Sequence, residues 1–255
     1  MLRTDLTIVE NVRIARDIYR MVLHGITAEK IKAPGQFVHI RCGDGWETLL
    51  RRPISIASWE IQKGIIAIIY RAQGKGTNWL AARDHGERID VLGPLGNGFP
   101  ISEKEGQNVL LIGGGVGVPP LYGLAQELQK YGAVIHTCLG FASRCDVFLA
   151  EAFGELGTVE VATDDGSFGH GGLVTDLIRE PFTWDIVYAC GPLPMLRAVQ
   201  QRFNGTGIEG YLSLEARMGC GVGACLACVC ELRGVGRQVK VCSDGPVFPY
   251  QEVAL

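Results

Sequence analysis

The sequence predicts a multidomain chain. Residues 1–100 form a small antiparallel β-barrel, residues 101–208 an α/β domain with a doubly wound parallel sheet, and residues 209–255 a small C-terminal cysteine-rich module. Three observations carry this reading. The first stretch alternates apolar and polar residues in short runs broken by turns; the second alternates continuous apolar runs with helical patterns; the third crowds cysteines among glycines and alanines. A length of 255 residues accommodates two or three domains.

In the first module, residues 6–13, 19–23, 36–40 and 65–71 read as half-buried strands, separated by turns such as Ala33-Pro34-Gly35 and Gly43-Asp44-Gly45. Strands this short and evenly spaced predict a closed barrel. Two stretches carry chemical groups. Arg51-Arg52-Pro53-Ile54-Ser55 sets cations and a hydroxyl at a strand end, and Tyr70-Arg71 leads through Gly74-Lys75-Gly76-Thr77 into a helix expected over 78–83. A glycine-flanked helix start offers free N–H groups and a positive dipole end, which suits a pyrophosphate. A solvated arginine face and an ordinary loop-to-helix turn account for the same residues, so each stretch alone is a weak signal.

After the turn-rich boundary at 92–100 the period changes. Residues 109–112 are a continuous apolar run ending in Gly113-Gly114-Gly115-Val116-Gly117. Helices are expected over 119–130, 146–153, 175–180 and 195–203, and strands over 134–139, 159–163 and 186–189. Buried strands alternating with helices make a parallel sheet, whose ligands sit at the carboxyl ends of the strands. Three loops fall there: 113–117, 163–169 with Asp164 and Asp165, and Cys190-Gly191-Pro192. Glycines let a backbone approach a dinucleotide pyrophosphate. Carboxylates near an adenosine ribose favour NAD over NADP, whereas Ser143-Arg144 would attract a 2′-phosphate; Asp164 and Asp165 also fit a solvated turn. Cys190 is either a packed thiol or a neighbour of the nicotinamide.

The third module holds Cys220, Cys225 and Cys228 at the spacing C-x4-C-x2-C, with Cys242 downstream. This is the thiolate pattern of plant-type [2Fe–2S] sites, and the small residues between the thiols let the loop wrap an inorganic core and aim N–H groups at its sulfurs. A structural zinc site would separate two knuckles of two ligands each, and a Rieske site needs histidines among the cysteines, whereas all five histidines lie upstream. Cys230 alternates with Cys228 on an expected strand and reads as a small packed side chain. Nine cysteines suit a reduced cytoplasmic metal protein better than a disulfide framework. The net charge of −3, without a basic stripe, excludes nucleic acid as the expected partner. The uncharged run at 109–125 is interrupted by glycines and prolines, and the opening residues show no signal peptide, so no membrane association is expected.

Barrel, nucleotide sheet and cysteine loop, in that order, resemble the ferredoxin–NADP reductase superfamily and, within it, the electron transfer subunits of dihydroorotate dehydrogenase B. The resemblance spans essentially the whole chain. It is carried by Arg52-Pro53-Ile54-Ser55, Gly76-Thr77, residues 113–120, residues 190–195 and residues 213–225, the last being the most specific. It implies FAD held by Arg52, Pro53, Ile54, Ser55, Ile69, Tyr70, Arg71, Gly76 and Thr77, and a cluster on Cys220, Cys225, Cys228 and Cys242. Related flavin sites often read Arg-x-Tyr-Ser; the Arg-Pro-x-Ser here is the pattern of the subgroup and removes an aromatic stacking partner. The implied partner is an FMN-containing dihydroorotate dehydrogenase catalytic subunit, in a heterotetramer of two of each, and the implied role is relay of its electrons to NAD+ in pyrimidine biosynthesis.

The physical argument agrees. The three modules leave no stretch for the barrel of about 250 residues that commonly oxidises an organic substrate beside a flavin, so no catalytic residue for that step is assigned to this chain. Glu215 and Arg217 are expected to orient the cluster or meet the partner, with a surface salt bridge as the plain alternative, and the apolar segment 246–250 is expected to contact the partner. Two competing readings remain at this stage: an NAD(P)H–ferredoxin oxidoreductase or hydrogenase diaphorase-type subunit, and an NAD-binding redox sensor without turnover.

Overall fold

A computed structural model describes residues 2–43, 45–101, 103–234 and 236–255; Asp44, central to the turn expected at 43–45, lies outside them. Six strands, β1 (Leu2–Ala15), β2 (Ile18–His24), β3 (Phe37–Ile40), β4 (Arg52–Glu60), β5 (Ile65–Arg71) and β6 (Arg88–Leu95), close a barrel in the order β1-β2-β5-β4-β3-β6. Neighbours are antiparallel throughout. The alternating residues Leu6, Ile8, Met21, Leu23, Val38, Ile40, Ile66, Ile68, Ile89 and Val91 fill the interior. A seven-residue helix, α1 (Lys75–Ala81), adds Leu80 to that core. It begins three residues before the expected 78 because the N–H groups of Gln73 and Gly74 donate to the Thr77 hydroxyl, each at 3.1 Å, which closes the first turn early.

The second layer system contains β7 (Asn108–Gly114), α2 (Val118–Lys130), β8 (Val134–Phe141), α3 (Ala150–Gly154), β9 (Thr158–Thr163), β10 (His170–Gly171), β11 (Ile186–Cys190), α4 (Leu193–Phe203) and β12 (Glu209–Ser213). A hairpin of β13 (Val229–Glu231) and β14 (Gln238–Lys240) follows, and then β15 (Val247–Pro249). The seven-stranded sheet runs β10-β9-β8-β7-β11-β12-β15, parallel except for β15. Leu121, Leu124 and Leu128 of α2 cover one face together with Ile18, Ala57 and Ile69 of the barrel, so this helix cements barrel to sheet. Leu196, Val199 and Phe203 of α4 cover the other face.

Several expectations change. The boundary expected after 208 falls immediately before β12, a strand of this sheet. The helix expected over 146–153 is a 3-10 turn at Arg144–Asp146 followed by the short α3, interrupted where Leu149 takes a left-handed φ of 61°. The helix expected over 175–180 is a single 3-10 turn, Val174–Leu177, which ends where Ile178 takes extended dihedrals (φ −84°, ψ 100°). The segment 246–250 is no partner contact: Phe248 and Tyr250 are 6% and 4% exposed, packed in the core beside Leu212 and Phe203. Among the described residues no helix is long and apolar enough to cross a membrane.

Candidate functional site

The site begins where the barrel opens. The ladder between β4 and β5 runs from Glu60↔Ile65 to Ile56↔Ile68 and stops. Arg52–Ser55 therefore keep only β3 as ladder partner, and Ile69–Arg71 only β2. The two strands splay apart, and each presents an unpaired backbone edge to the gap, which needs an occupant with donors and acceptors. Within it Tyr70 is buried, stacks on Tyr19 with ring centroids 5.9 Å apart, and donates to Asn11 Oδ1 at 3.0 Å. The buried Nε of Arg71 has no hydrogen-bond partner. Arg52 donates to the carbonyl of Leu50 at 2.5 Å, and its guanidinium lies over Gly76, where any side chain would sit about 3.1 Å from Nε. Thr77 spends its hydroxyl on the helix start rather than facing a ligand through it.

The nucleotide loops meet this gap from the sheet. β7 and β11 are adjacent with Gly113 opposite Cys190, so the loops after them touch. A Cβ at Gly114 would fall 2.6 Å from Met195 Sδ and one at Gly117 2.4 Å from the Cys190 carbonyl, whereas Gly115, with φ 52°, has nothing within 4 Å. Gly114 and Gly117 thus serve loop-to-loop packing, Gly113 makes room for Val118 and Leu121 of α2 and Leu139 of β8, and Gly115 is the one that opens to space. Gly191 is buried under Met195 and Pro192 is exposed. The Asp164–Asp165 turn follows β9, two strands away from β7, or about 10 Å. Both carboxylates are exposed, and Asp165 accepts from the Ser167 N–H and hydroxyl, which lowers its pKa. Arg144 lies over the Phe168 ring at 5.6 Å, and Ser143 donates to Asp146, itself bound by Arg16.

Between barrel and sheet lies a cavity of about 260 Å³ that unites three sets of residues. Pro53, Ile54, Ser55, Ile69, Tyr70 and Arg71 come from the splayed strands, Val116 and Cys190 from the nucleotide loops, and Ser213, Glu215 and Met218 from the chain leading to the cysteines. Cys190 is at once a packed thiol and a wall of this cavity; desolvation pushes it up to about 12, so it stays protonated. Glu215 is exposed although protein atoms crowd its carboxyl, and that crowding raises its pKa. The sequence reading placed Glu215 beside the cysteine loop; the fold places it also on the cavity.

Met218 packs in one cluster with Cys228 and Cys242 and so joins cavity to cysteines. The loop aims five N–H groups at sulfur: Val222, Ala224 and Cys225 at Cys220 Sγ (3.4, 3.3 and 3.4 Å), Cys220 at Cys225 Sγ (3.4 Å), and Gly223 at Cys242 Sγ (3.1 Å). Desolvation raises the Cys220 thiol, but these donors and the Cys225 side chain outweigh it and bring it to about 6, which prepares a thiolate ligand. Desolvation and the Cys228 side chain instead push Cys242 up to about 11. The Cys220 side chain thus interacts with Cys225, and that of Cys242 with Cys228 and with Cys220, which makes the four thiols one connected group. Among the described residues no three His, Cys, Asp or Glu side chains converge on one metal ion. Four thiols on a loop whose N–H groups turn to sulfur fit a two-iron, four-cysteine core. Cys230 is half-buried against the same core, its thiol raised by desolvation, as a packed side chain should be.

One member of the site carried no sequence signal. His39 on β3 is fully buried, and its ring lies against Gly221, where φ is 71° and a Cβ would fall 2.6 Å from Nδ1. Burial, then the Arg51 charge, lowers its pKa.

Comparison with known proteins decides the family. Residues 215–254 match the iron–sulfur cluster binding domain of dihydroorotate dehydrogenase B. The chain is 50% identical over 254 residues to the dihydroorotate dehydrogenase B (NAD(+)) electron transfer subunit of Shouchella clausii (strain KSM-K16), covering 98% of this chain and 97% of that one. The subunit of the same name from Bacillus cereus (strain G9842) is 50% identical over 260 residues, with both chains fully covered. The chain belongs to this family of electron transfer subunits. A solved structure of an NADH-dependent reduced ferredoxin–NADP oxidoreductase, described for flavin-based electron bifurcation, superposes with a TM-score of 0.87 at 34% identity, covering 98% of this chain and 89% of that one. The three-module architecture is therefore that of a ferredoxin reductase-like flavoprotein with a C-terminal iron–sulfur module.

Proposed function

We propose that the chain relays electrons from an FMN-containing dihydroorotate dehydrogenase subunit, through a [2Fe–2S] cluster and FAD, to NAD+ in pyrimidine biosynthesis. The assembly is a cytoplasmic heterotetramer of two of each subunit. The observation that carries this reading is the single cavity walled by Ser55 and Tyr70, by Val116 and Cys190, and by Glu215 and Met218, because a relay needs its two-electron and one-electron sites in contact with one intermediary. When bound, FAD exchanges a hydride with NAD and single electrons with the cluster.

The residues divide that work. Pro53, Ile54 and Ser55 on one edge and Ile69, Tyr70 and Arg71 on the other hold the flavin by the backbone edges that the ladder leaves unpaired, with Arg71 Nε as a buried donor. Arg52 and the Gly76-Thr77 helix start attract the pyrophosphate. Gly113, Gly114, Gly115, Val116, Gly117, Gly191 and Pro192 shape the NAD channel beside Cys190, and Asp164 and Asp165 face the adenosine end. Cys220, Cys225, Cys228 and Cys242 hold the cluster. Residues 1–100 are assigned to FAD, 101–208 together with β12 and β15 to NAD, and the segment between those two strands to the cluster.

The test is an anaerobic visible spectrum with iron and flavin assays, followed by NADH. Flavin bands and a broad red-side absorbance, both bleached by NADH, with dihydroorotate-dependent NAD+ reduction once the partner subunit is added, are expected. A zinc-bearing colourless protein would refute the reading. An NAD(P)H–ferredoxin oxidoreductase subunit is the second reading, favoured by the 34% identical structure; NADPH outcompeting NADH, with no response to dihydroorotate, would select it.

A further inference from the structure

His39 stands apart from the residues that explain the relay, yet it sits where two of its modules meet. On β3 the side chains of Val38 and Ile40 point into the barrel core. Alternation turns Phe37 and His39 to the other face, and Phe37 packs there with Met218, Cys228 and Cys242. His39 is 0% exposed on that face. Its ladder partner is Pro53, on the strand that opens to the cavity, and its carbonyl accepts from Arg51 Nη1 at 3.2 Å. The ring nitrogens face the main chain at Arg51 and Cys220, yet neither closes a hydrogen bond of good geometry. Gly221 has no Cβ to keep the loop off the ring.

A fully buried imidazole with both nitrogens unpaired is costly, and such groups in native proteins find partners. The main chain at Arg51 and at Cys220 is what this ring can reach, Cys220 opens the loop that is to be loaded, and an imidazole offers at least one N–H. We infer that His39 is a positioning residue for the cluster: it supports the Cys220–Gly221 turn from the barrel side and gives its N–H to the Cys220 carbonyl when the loop is loaded. The inference rests on the cluster assignment above. It has an electrostatic consequence. A donor dipole with its positive end toward the cluster favours the added electron, so its removal lowers the midpoint potential.

The experiment compares His39→Met with His39→Gln in the full chain isolated with its cofactors. The two side chains are similar in length, and only glutamine retains an N–H. Iron and flavin content, the electron paramagnetic resonance spectrum of the reduced cluster and its midpoint potential are measured. His39→Met is expected to shift the potential downward and alter the spectrum, with His39→Gln restoring most of both and the flavin potential unchanged. Loss of iron from the methionine variant alone supports the same role. Unaltered potential in both variants, equal shifts in both, or failure of both to load iron would overturn it in favour of plain ring packing. A wild-type protein without iron would instead sink the cluster reading beneath it.

Discussion

Gly117→Ala tests the contact between the two nucleotide loops. The new Cβ would lie 2.4 Å from the Cys190 carbonyl oxygen and 2.5 Å from both the Cys190 carbonyl carbon and the Gly191 nitrogen. Favourable contact needs about 3.5 Å, so the loops must part by about 1 Å. Every clashing atom is backbone, and no side chain can swing away. Overpacking of this kind costs about 1–3 kcal/mol, and each kcal/mol lowers Tm by roughly 2–4 °C in a protein of this size. On the proposed assignment of these loops to NAD the functional effect should be larger, because a displacement of about 1 Å where reactants are positioned costs about 10²-fold in rate. Stopped-flow reduction of the bound flavin by NADH should slow by about that factor, while reduction by dithionite is unchanged. Gly154→Ala is the control: nothing lies within 4 Å of its Cβ, and it ends α3. It should be neutral or raise stability by up to about 1 kcal/mol. A Gly117→Ala protein reduced by NADH at the wild-type rate, with an unchanged Tm, would refute the claim that these loops are in contact.

Phe248→Ser should destabilise by about 3–5 kcal/mol in urea unfolding, while the folded fraction binds the partner subunit as wild type does; selective loss of partner binding at unchanged stability would contradict its burial. Cys242→Ala should abolish the red-side absorbance and lower the iron content, whereas Cys230→Ala should keep both. Burial works to raise the Asp146 carboxyl, but hydrogen bonds from Arg16 and Ser143 and the Arg16 charge outweigh it and hold the folded pKa below 3.8. A depressed folded pKa contributes stability above the unfolded value, and that contribution is lost as pH falls through the folded one. Asp146→Asn should therefore lower Tm at neutral pH and flatten the acid limb of the Tm–pH profile below about pH 4; parallel profiles for variant and wild type would refute this.

The sequence was most legible where pattern is local. Alternation marks β1, β2, β3 and β5, the apolar run ending at Gly113 marks β7, and the spacing of Cys220, Cys225 and Cys228 marks the iron–sulfur module that the family match covers. What it concealed is set by distant partners. β6 contains Gly93-Pro94 and reads as turn, yet β1 and β3 flank it and impose the strand. β15 is three residues long and ends in Pro249; only its pairing with β12 makes it a strand, so its apolar side chains passed for a surface. A lone histidine in the apolar run Phe37–Ile40 looks like any packed residue, and its unpaired nitrogens appear only once β3 is laid against the cysteine loop.

The pairing of β12 with β15 recasts the cysteine module. These strands are antiparallel neighbours, with Ser213 opposite Val247 and Tyr211 opposite Pro249, so residues 214–246 are topologically the connection of a single oversized hairpin. Both feet of that connection stand in the nucleotide sheet, and Asn97 at the end of the barrel ties the returning foot through Gly245, Ser243 and Asp244. An element tethered at both ends to one sheet has little freedom to swing, so electrons cross a fixed gap rather than wait on a carrier's travel. The same insert is no detachable appendage: Leu214, Met218, Cys228, Val239 and Val241 fill the core shared with α4, so joining β12 directly to β15 should expose that face as well as remove the one-electron outlet.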